Sequence, residues 1–205
     1  PALSNKGAGL GLAYSTTRGD HLLNVCAAGM SALANQPDDF LNYARAKHPA
    51  VKAEDFLPRM LFGQYIQELL NTAIADNTAK ANKNKCQFSL IKGQAVDIEP
   101  TESHKNKPQY KVILDNQQSL ESDIVVLALG NLAGKQPAWL DKLSMASTCY
   151  IHNPWNTKAL AAIEKTESIL LVGTGLTAVD KIIELKARGH VGKITAVSRH
   201  GLLPR

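Results

Sequence analysis

The sequence is poor in the residues that staple or anchor a chain. Among its 205 residues it has three cysteines, Cys26, Cys86 and Cys149, an odd and widely spaced set with no C-x-x-C pair. That usage argues against a disulfide framework, a zinc ribbon or a redox-active dithiol, and leaves three incidental thiols. Long apolar runs are missing too. The longest, at 124–129 and 169–172, fall far below the roughly 20 residues that a membrane-spanning helix needs. The six histidines are scattered, and there is no H-E-x-x-H, no G-x-S-x-G and no evident carboxylate pair. No metal site or protein nucleophile is therefore announced, and His21 and His152 read as structural or surface residues. The first residues, Pro1 to Gly7, carry neither an initiator Met nor the apolar core of a secretory signal, so the cytoplasm is the expected compartment.

What is present fits a globular domain: 44% of residues are hydrophobic and 20% charged, ordinary values for a chain that buries a core. The formal charge of +5 raises the question of polyanionic partners. However, the most basic stretch, Lys80-Ala-Asn-Lys-Asn-Lys85, has no interleaved aromatics. It reads as a solvated loop, and nucleic acid is not an expected partner.

Residues 1–35 are rich in Gly, Ala, Ser and Asn without a sustained period, a texture of irregular segments that line something. The cluster Gly7-Ala-Gly9-Leu-Gly11 has no strand before it and no clear helix after it. It reads as a flexible approach to Tyr14 and Ser15, not as a phosphate loop. A short helix is predicted from Pro37 to Lys47, with Phe40, Leu41 and Ala44 facing inward, and a second from Gly63 to Ala75, with its stripe at 65, 66, 69, 70, 73 and 74. Strands are predicted at Gln87–Leu90, Gly93–Glu99, Tyr110–Leu114 and Asp123–Leu129. The first three form a β-meander, and the unalternating fourth is read as a buried strand ending at Gly130-Asn131. Residues 132–167 read as loop and short helix, with a turn at Asn153-Pro154 and a helical pattern over Lys158–Ile163.

At residue 167 the texture changes. Ser168-Ile-Leu-Leu-Val172 is predicted as a buried strand, Gly173-Thr174-Gly175 as a turn, the following residues as an amphipathic helix closed by Gly189, and Lys193–Ser198 as a second strand. The predicted fold is α/β: a Rossmann-like fragment with a β-meander over 1–166 and a partial second βαβ unit over 167–205, cut at both ends. Gly173-Thr174-Gly175-Leu-Thr177-Ala178 fits G-x-G-x-x-A between a strand and a helix. In such a motif the first glycine makes the tight turn, the second lets backbone approach a pyrophosphate, and the small third residue lets helix and strand pack closely. The helix N-terminus then holds the diphosphate. A ligand-free glycine turn and a loop for S-adenosylmethionine stay open as alternatives. At the end of the second strand, where an acid would bond ribose hydroxyls, the sequence reads Ser198-Arg199-His200. Serine donates a hydrogen bond and arginine pairs with a phosphate dianion, which favours NADP(H) over NAD(H) and speaks against S-adenosylmethionine.

Several strings together resemble the two-dinucleotide-binding flavoproteins, and most closely a bacterial FAD/NAD(P)-binding family. They are Gly11-Leu-Ala-Tyr-Ser-Thr, His21-Leu-Leu-Asn-Val with Met30-Ser-Ala, Asp55-Phe-Leu-Pro-Arg, Asp123–Asn131, Asn153-Pro-Trp and Gly173–Asp180 with Ser198-Arg. Flavin-containing monooxygenases and N-hydroxylases are similar more distantly. The resemblance implies an FAD site drawing on Tyr14, Ser15, Asn24, Met30, the backbone near Val96, and the Gly130-Asn131 turn. It also implies that the family's first glycine motif and ribose-binding acid precede Pro1. The implied reaction is hydride transfer from NADPH to FAD and reoxidation of the flavin by oxygen or another acceptor, on a small-molecule substrate that the sequence does not name. A non-catalytic dinucleotide sensor is the alternative.

Overall fold

The structure, a computed structural model, describes residues 9–84, 88–104, 107–130, 149–202 and 204, and only the backbone of 77–84, 102–104 and 107–108. Asn131, Cys86 and the first eight residues lie outside the described residues. Two compact units divide the chain, Pro1–Gly130 and Asn131–Arg205. Among the described residues the architecture is mixed α/β with two small sheets.

In the first unit, α1 (Asp39–Lys47) forms where expected. Its acid lies in the first turn and its bases, Arg45 and Lys47, in the last, matching the helix dipole. Phe40, Leu41 and Ala44 are buried, as the pattern predicts. They meet Leu61, Phe62 and Tyr65 of α2 (Arg59–Asn84) in one core. Phe40 packs edge-on to Phe62 with centroids 5.0 Å apart and lies 5.3 Å from Tyr65, geometries that match the ring quadrupoles. The α2 stripe is buried at Tyr65 and partly at Ile66 and Leu69, whereas Ala73 is exposed.

The Tyr65 hydroxyl donates to Asp39 Oδ2 at 2.7 Å and accepts from the Ala32 N–H at 3.2 Å. Burial, then the neighbouring Asp39 carboxylate, raises its pKa above the usual phenol value. Tyr65→Phe keeps the ring and orphans that amide, so we expect a loss of about 1–2 kcal/mol. It would be read as a lower urea midpoint at unchanged m-value.

The meander comprises β1 (Ala95–His104), β2 (Lys107–Leu114) and β3 (Ser119–Ser122), antiparallel in the order β1-β2-β3. In the second unit, α3 (Thr157–Ala161) is capped by the Asn156 side chain, which accepts from the Ala159 N–H. It follows a turn in which the Trp155 N–H donates to Asn153 Oδ1. Strand β4 (Ile169–Val172), helix α4 (Leu176–Ala187) and strand β5 (Ile194–Val197) form a βαβ unit, the strands parallel with Ile169 opposite Ile194 and Val172 opposite Val197. Helix α4 ends in a Schellman closure. Gly189, at φ +81°, donates to the Lys186 carbonyl, and the His190 N–H donates to that of Leu185.

Five expectations are corrected. Phe88–Leu90 and Ile124–Leu129 are not strands: neither pairs with a described strand, and Ile124 and Val126 are about 80% exposed (79% and 82%). A strand exists only through its ladder partner, which a local apolar run does not supply. The first meander strand is thus β1, and the third is the unpredicted β3. Lys80–Asn84 continues α2 and is not a loop, because no Gly or Pro interrupts a run whose Ala and Lys favour helix. Strand β4 is open on one face, with Leu170 61% and Val172 68% exposed. Finally, the deeply buried positions of α4 are Asp180, Lys181, Glu184 and Leu185, while Val179, Ile182 and Ile183 are half-buried. Ion pairing makes that possible. Glu184 receives Lys181 and Arg188, each at 2.8 Å, and the Lys181 ammonium sits 4.8 Å from the centroid of the Trp155 ring.

Candidate functional site

The glycine turn of the βαβ unit has the backbone its sequence requires. Gly173 sits at φ +115° and its N–H donates to the Val197 carbonyl at 2.7 Å, which ties the turn to the end of β5. That φ is costly for any residue with a Cβ. Gly175 differs. It is the N-cap of α4 at φ −73° and ψ −177°, an ordinary extended conformation, and an added Cβ would meet nothing within 4 Å. Among the described residues neither a positive φ nor a packed neighbour requires a glycine there, and what the fold itself favours is glycine as an N-cap. Ahead of it lie the Leu176 and Thr177 N–H groups, for which the helix supplies no acceptor, while the Ala178 N–H already donates to the Gly175 carbonyl at 2.9 Å.

Thr174 and Gly175 line a cleft of about 360 Å3 together with Ser198, Arg199 and His200. The turn and the β5 end, predicted separately as diphosphate and ribose-phosphate positions, thus share one cavity. Thr177 is exposed and Ala178 half-buried on the same helix turn. The Ser198 hydroxyl oxygen accepts from the Gly201 N–H at 3.0 Å, which leaves its own proton to donate. Arg199 is exposed and makes no ion pair among the described residues. Leu202 and Pro204 complete the lining, and the Thr174 hydroxyl donates to the Leu202 carbonyl. Those two residues were missed by the sequence reading. Gly201, at φ +64°, was the one local sign that the chain turns back there.

In the first unit, Gly63 lets the segment carrying Tyr14 cross α2 closely, since a Cβ at 63 would lie 2.6 Å from the Tyr14 carbonyl oxygen. The Tyr14 ring lies 4.8 Å from Phe62, and Tyr14 and Met30 both pack on the rim of the aromatic core. Ser15 is half-buried, its hydroxyl donating to the Leu12 carbonyl at 3.3 Å, and Asn24 is exposed. The segment is held to the start of α2 by the Leu23 N–H donating to Leu57 and the Arg59 N–H donating to His21, both at 2.8 Å. Val96 sits at a register shift: Ala95 pairs with Leu114 and Asp97 with Ile113. It is the extra residue of a bulge, 57% exposed, and bulges of this kind leave backbone groups off the ladder beside binding sites. Gly130 adopts φ +67°. Tyr14 and Met30 are thus gathered on one core, whereas Val96 and Gly130 are placed by the meander and the segment leaving it.

His21 is buried with Nδ1 2.9 Å from the Thr16 hydroxyl, and His152 is exposed beside the Tyr150 hydroxyl. No group of His, Cys, Asp and Glu among the described residues is arranged to hold a metal ion. No described helix is long and apolar enough to cross a membrane.

Neither a curated protein nor a solved structure matches the chain. A sequence profile described as FAD-NAD(P)-binding matches residues 3–132. That span holds the Tyr14, Met30 and Val96 positions and ends before the βαβ cleft. It covers more than half of the chain, and on it the protein belongs to the FAD-NAD(P)-binding family.

Proposed function

We propose that this chain belongs to an FAD-dependent, NADPH-using oxidoreductase acting on a small molecule, with the nicotinamide dinucleotide held in the βαβ cleft as the opening of a Rossmann unit. The observation that carries the reading is the open side of Gly175 at the N-terminus of α4, in one cavity with Ser198 and Arg199. A glycine that no positive φ and no described neighbour requires suits a ligand that must come close to backbone. The residues present fit the group: N–H donors at a helix start for a diphosphate, a hydroxyl and a guanidinium for a 2′-phosphate, and no acid to repel it.

On the flavin side, the family assignment combines with the exposed bulge at Val96 and the rim formed by Tyr14 and Met30. Asn24, Ser15, Gly130 and Asn131 are assigned with them. When bound, the cofactors would supply the redox chemistry. The chain's residues bind and orient: Thr174, Gly175, Thr177 and Ala178 form the diphosphate turn, and Ser198 and Arg199 select the ribose phosphate.

The test is spectroscopic. The full-length protein should carry visible flavin absorbance as purified or after incubation with FAD, and that absorbance should bleach anaerobically on adding NADPH. Flavin that binds but is never reduced would leave a dinucleotide sensor, and absence of flavin binding would remove the FAD assignment.

A further inference from the structure

The second unit has a smaller pocket, remote in the fold from the glycine turn, at the opposite end of α4. Its volume is about 120 Å3, room for roughly ten water-sized spheres and far too little for a dinucleotide. Leu160, Ile163 and Leu185 supply apolar wall, and among the described residues every charged or titratable side chain lining it is basic: Lys165, Arg188 and His190. His190 is only 4% exposed, and its Nε2 is buried without a hydrogen-bond partner. A buried polar atom left so is costly and uncommon.

The walls are built. The Lys165 carbonyl accepts from both Val191 and Gly192, at 2.8 and 2.9 Å. A Cβ on Gly192 would lie 2.1 Å from the Glu167 carbonyl, so the two backbones meet closely behind the pocket. The carbonyl end of α4 would ordinarily repel an anion, but the Schellman closure already occupies the Leu185 and Lys186 carbonyls with the His190 and Gly189 N–H groups. Arg188 gives one nitrogen to Glu184, and a guanidinium has further donors to offer. Lys165 makes no ion pair among the described residues.

We infer that this pocket binds a small organic monoanion, a carboxylate with a short apolar tail. The carboxylate takes the Lys165 ammonium and the Arg188 N–H groups not used by Glu184 as donors, and the tail lies against Leu160, Ile163 and Leu185. The site is separate from the dinucleotide cleft and stands whether or not that reading holds.

Sodium butyrate is the probe, followed in 1H–15N spectra of the whole chain at constant ionic strength, with inorganic phosphate and chloride as parallel arms. Butyrate should give saturable shifts at the Gly189, His190 and Gly192 amides and the His190 ring, and none at Ser198. Lys165→Met should weaken it about tenfold, the effect of one lost charge-assisted hydrogen bond. Shifts that fail to saturate, that chloride reproduces, or that survive Lys165→Met overturn the site. Binding of phosphate as tight as that of butyrate overturns the assignment of an apolar tail. If a variant fails to fold, the wild-type map decides alone: saturable butyrate shifts confined to this pocket support the site, and shifts elsewhere or none overturn it.

Discussion

Gly175→Val is expected to abolish nicotinamide-nucleotide binding while leaving the fold and any bound flavin in place. The structure makes this substitution unusually clean. Position 175 has φ −73° and ψ −177°, which a valine adopts without strain, and its Cβ would meet no atom within 4 Å. The N-cap gives no side-chain hydrogen bond that could be lost. The stability change should therefore stay at about 1 kcal/mol, the loss of glycine's preference at an N-cap. A bound diphosphate would instead meet the isopropyl group where it must reach the N–H groups of α4. Losing two such charge-assisted contacts at about 1.5–3 kcal/mol each predicts a fall in affinity of about 150-fold or more. Gly173→Val would be a poor substitute. At φ +115° it strains the backbone whether or not a ligand binds, and its effect could not be separated from misfolding. Calorimetric titration of NADPH into Gly175→Val, beside a thermal melt, reads both halves. Undiminished NADPH affinity would remove the dinucleotide from this cleft, and lost flavin with intact NADPH binding would exchange the roles of the two units.

What the sequence made legible was local. Helix α1 was readable because Phe40, Leu41 and Ala44 repeat at helical spacing between an acidic start and a basic end, all within one short segment. The βαβ unit was readable for the same reason, since its strand, glycine turn, helix and Gly189 stop are consecutive. Where the signal had to come from a distant partner, it failed. The apolar run at 124–129 has strand composition but no described ladder partner, while Ser119–Ser122, with little apolar content, pairs because the tight turn at 115–118 delivers it to β2. Helix α2 ran past its apolar stripe because nothing in 77–84 breaks a helix. The charged buried face of α4 was hidden because periodicity counts apolar residues and cannot foresee that Glu184 will hold both Lys181 and Arg188. In the cleft, Thr174, Gly175, Ser198 and Arg199 came from the strand-turn-helix context. Leu202 entered through a hydrogen bond from Thr174 that spans 28 residues, a contact that no local pattern encodes.

Arg199→Ala is expected to weaken NADPH far more than NADH. Arg199 follows the end of β5 in the same cavity as Gly175, and it is exposed without an ion pair among the described residues. Its guanidinium is therefore available to a phosphate dianion, and binding need not break an internal contact first. Beside it, Ser198 keeps its hydroxyl proton because its oxygen is the acceptor of the Gly201 N–H, so the two side chains offer three or more donors to a 2′-phosphate. A contact of this kind is worth about 1.5–3 kcal/mol, or roughly 10- to 150-fold in affinity. Exposure moves the expectation to the lower end, because solvent and salt screen an open charge pair, and His200 in the same lining can take over part of the contact. NADH has no phosphate at that position, so its affinity should change less than about twofold. Raising salt should erode the wild-type preference for NADPH and leave the Arg199→Ala protein almost unaffected, a dependence that a merely structural role would not produce. Equal losses for the two nucleotides would return Arg199 to the surface and remove the physical basis for preferring NADP, with Gly175 and the helix start still accounting for the diphosphate.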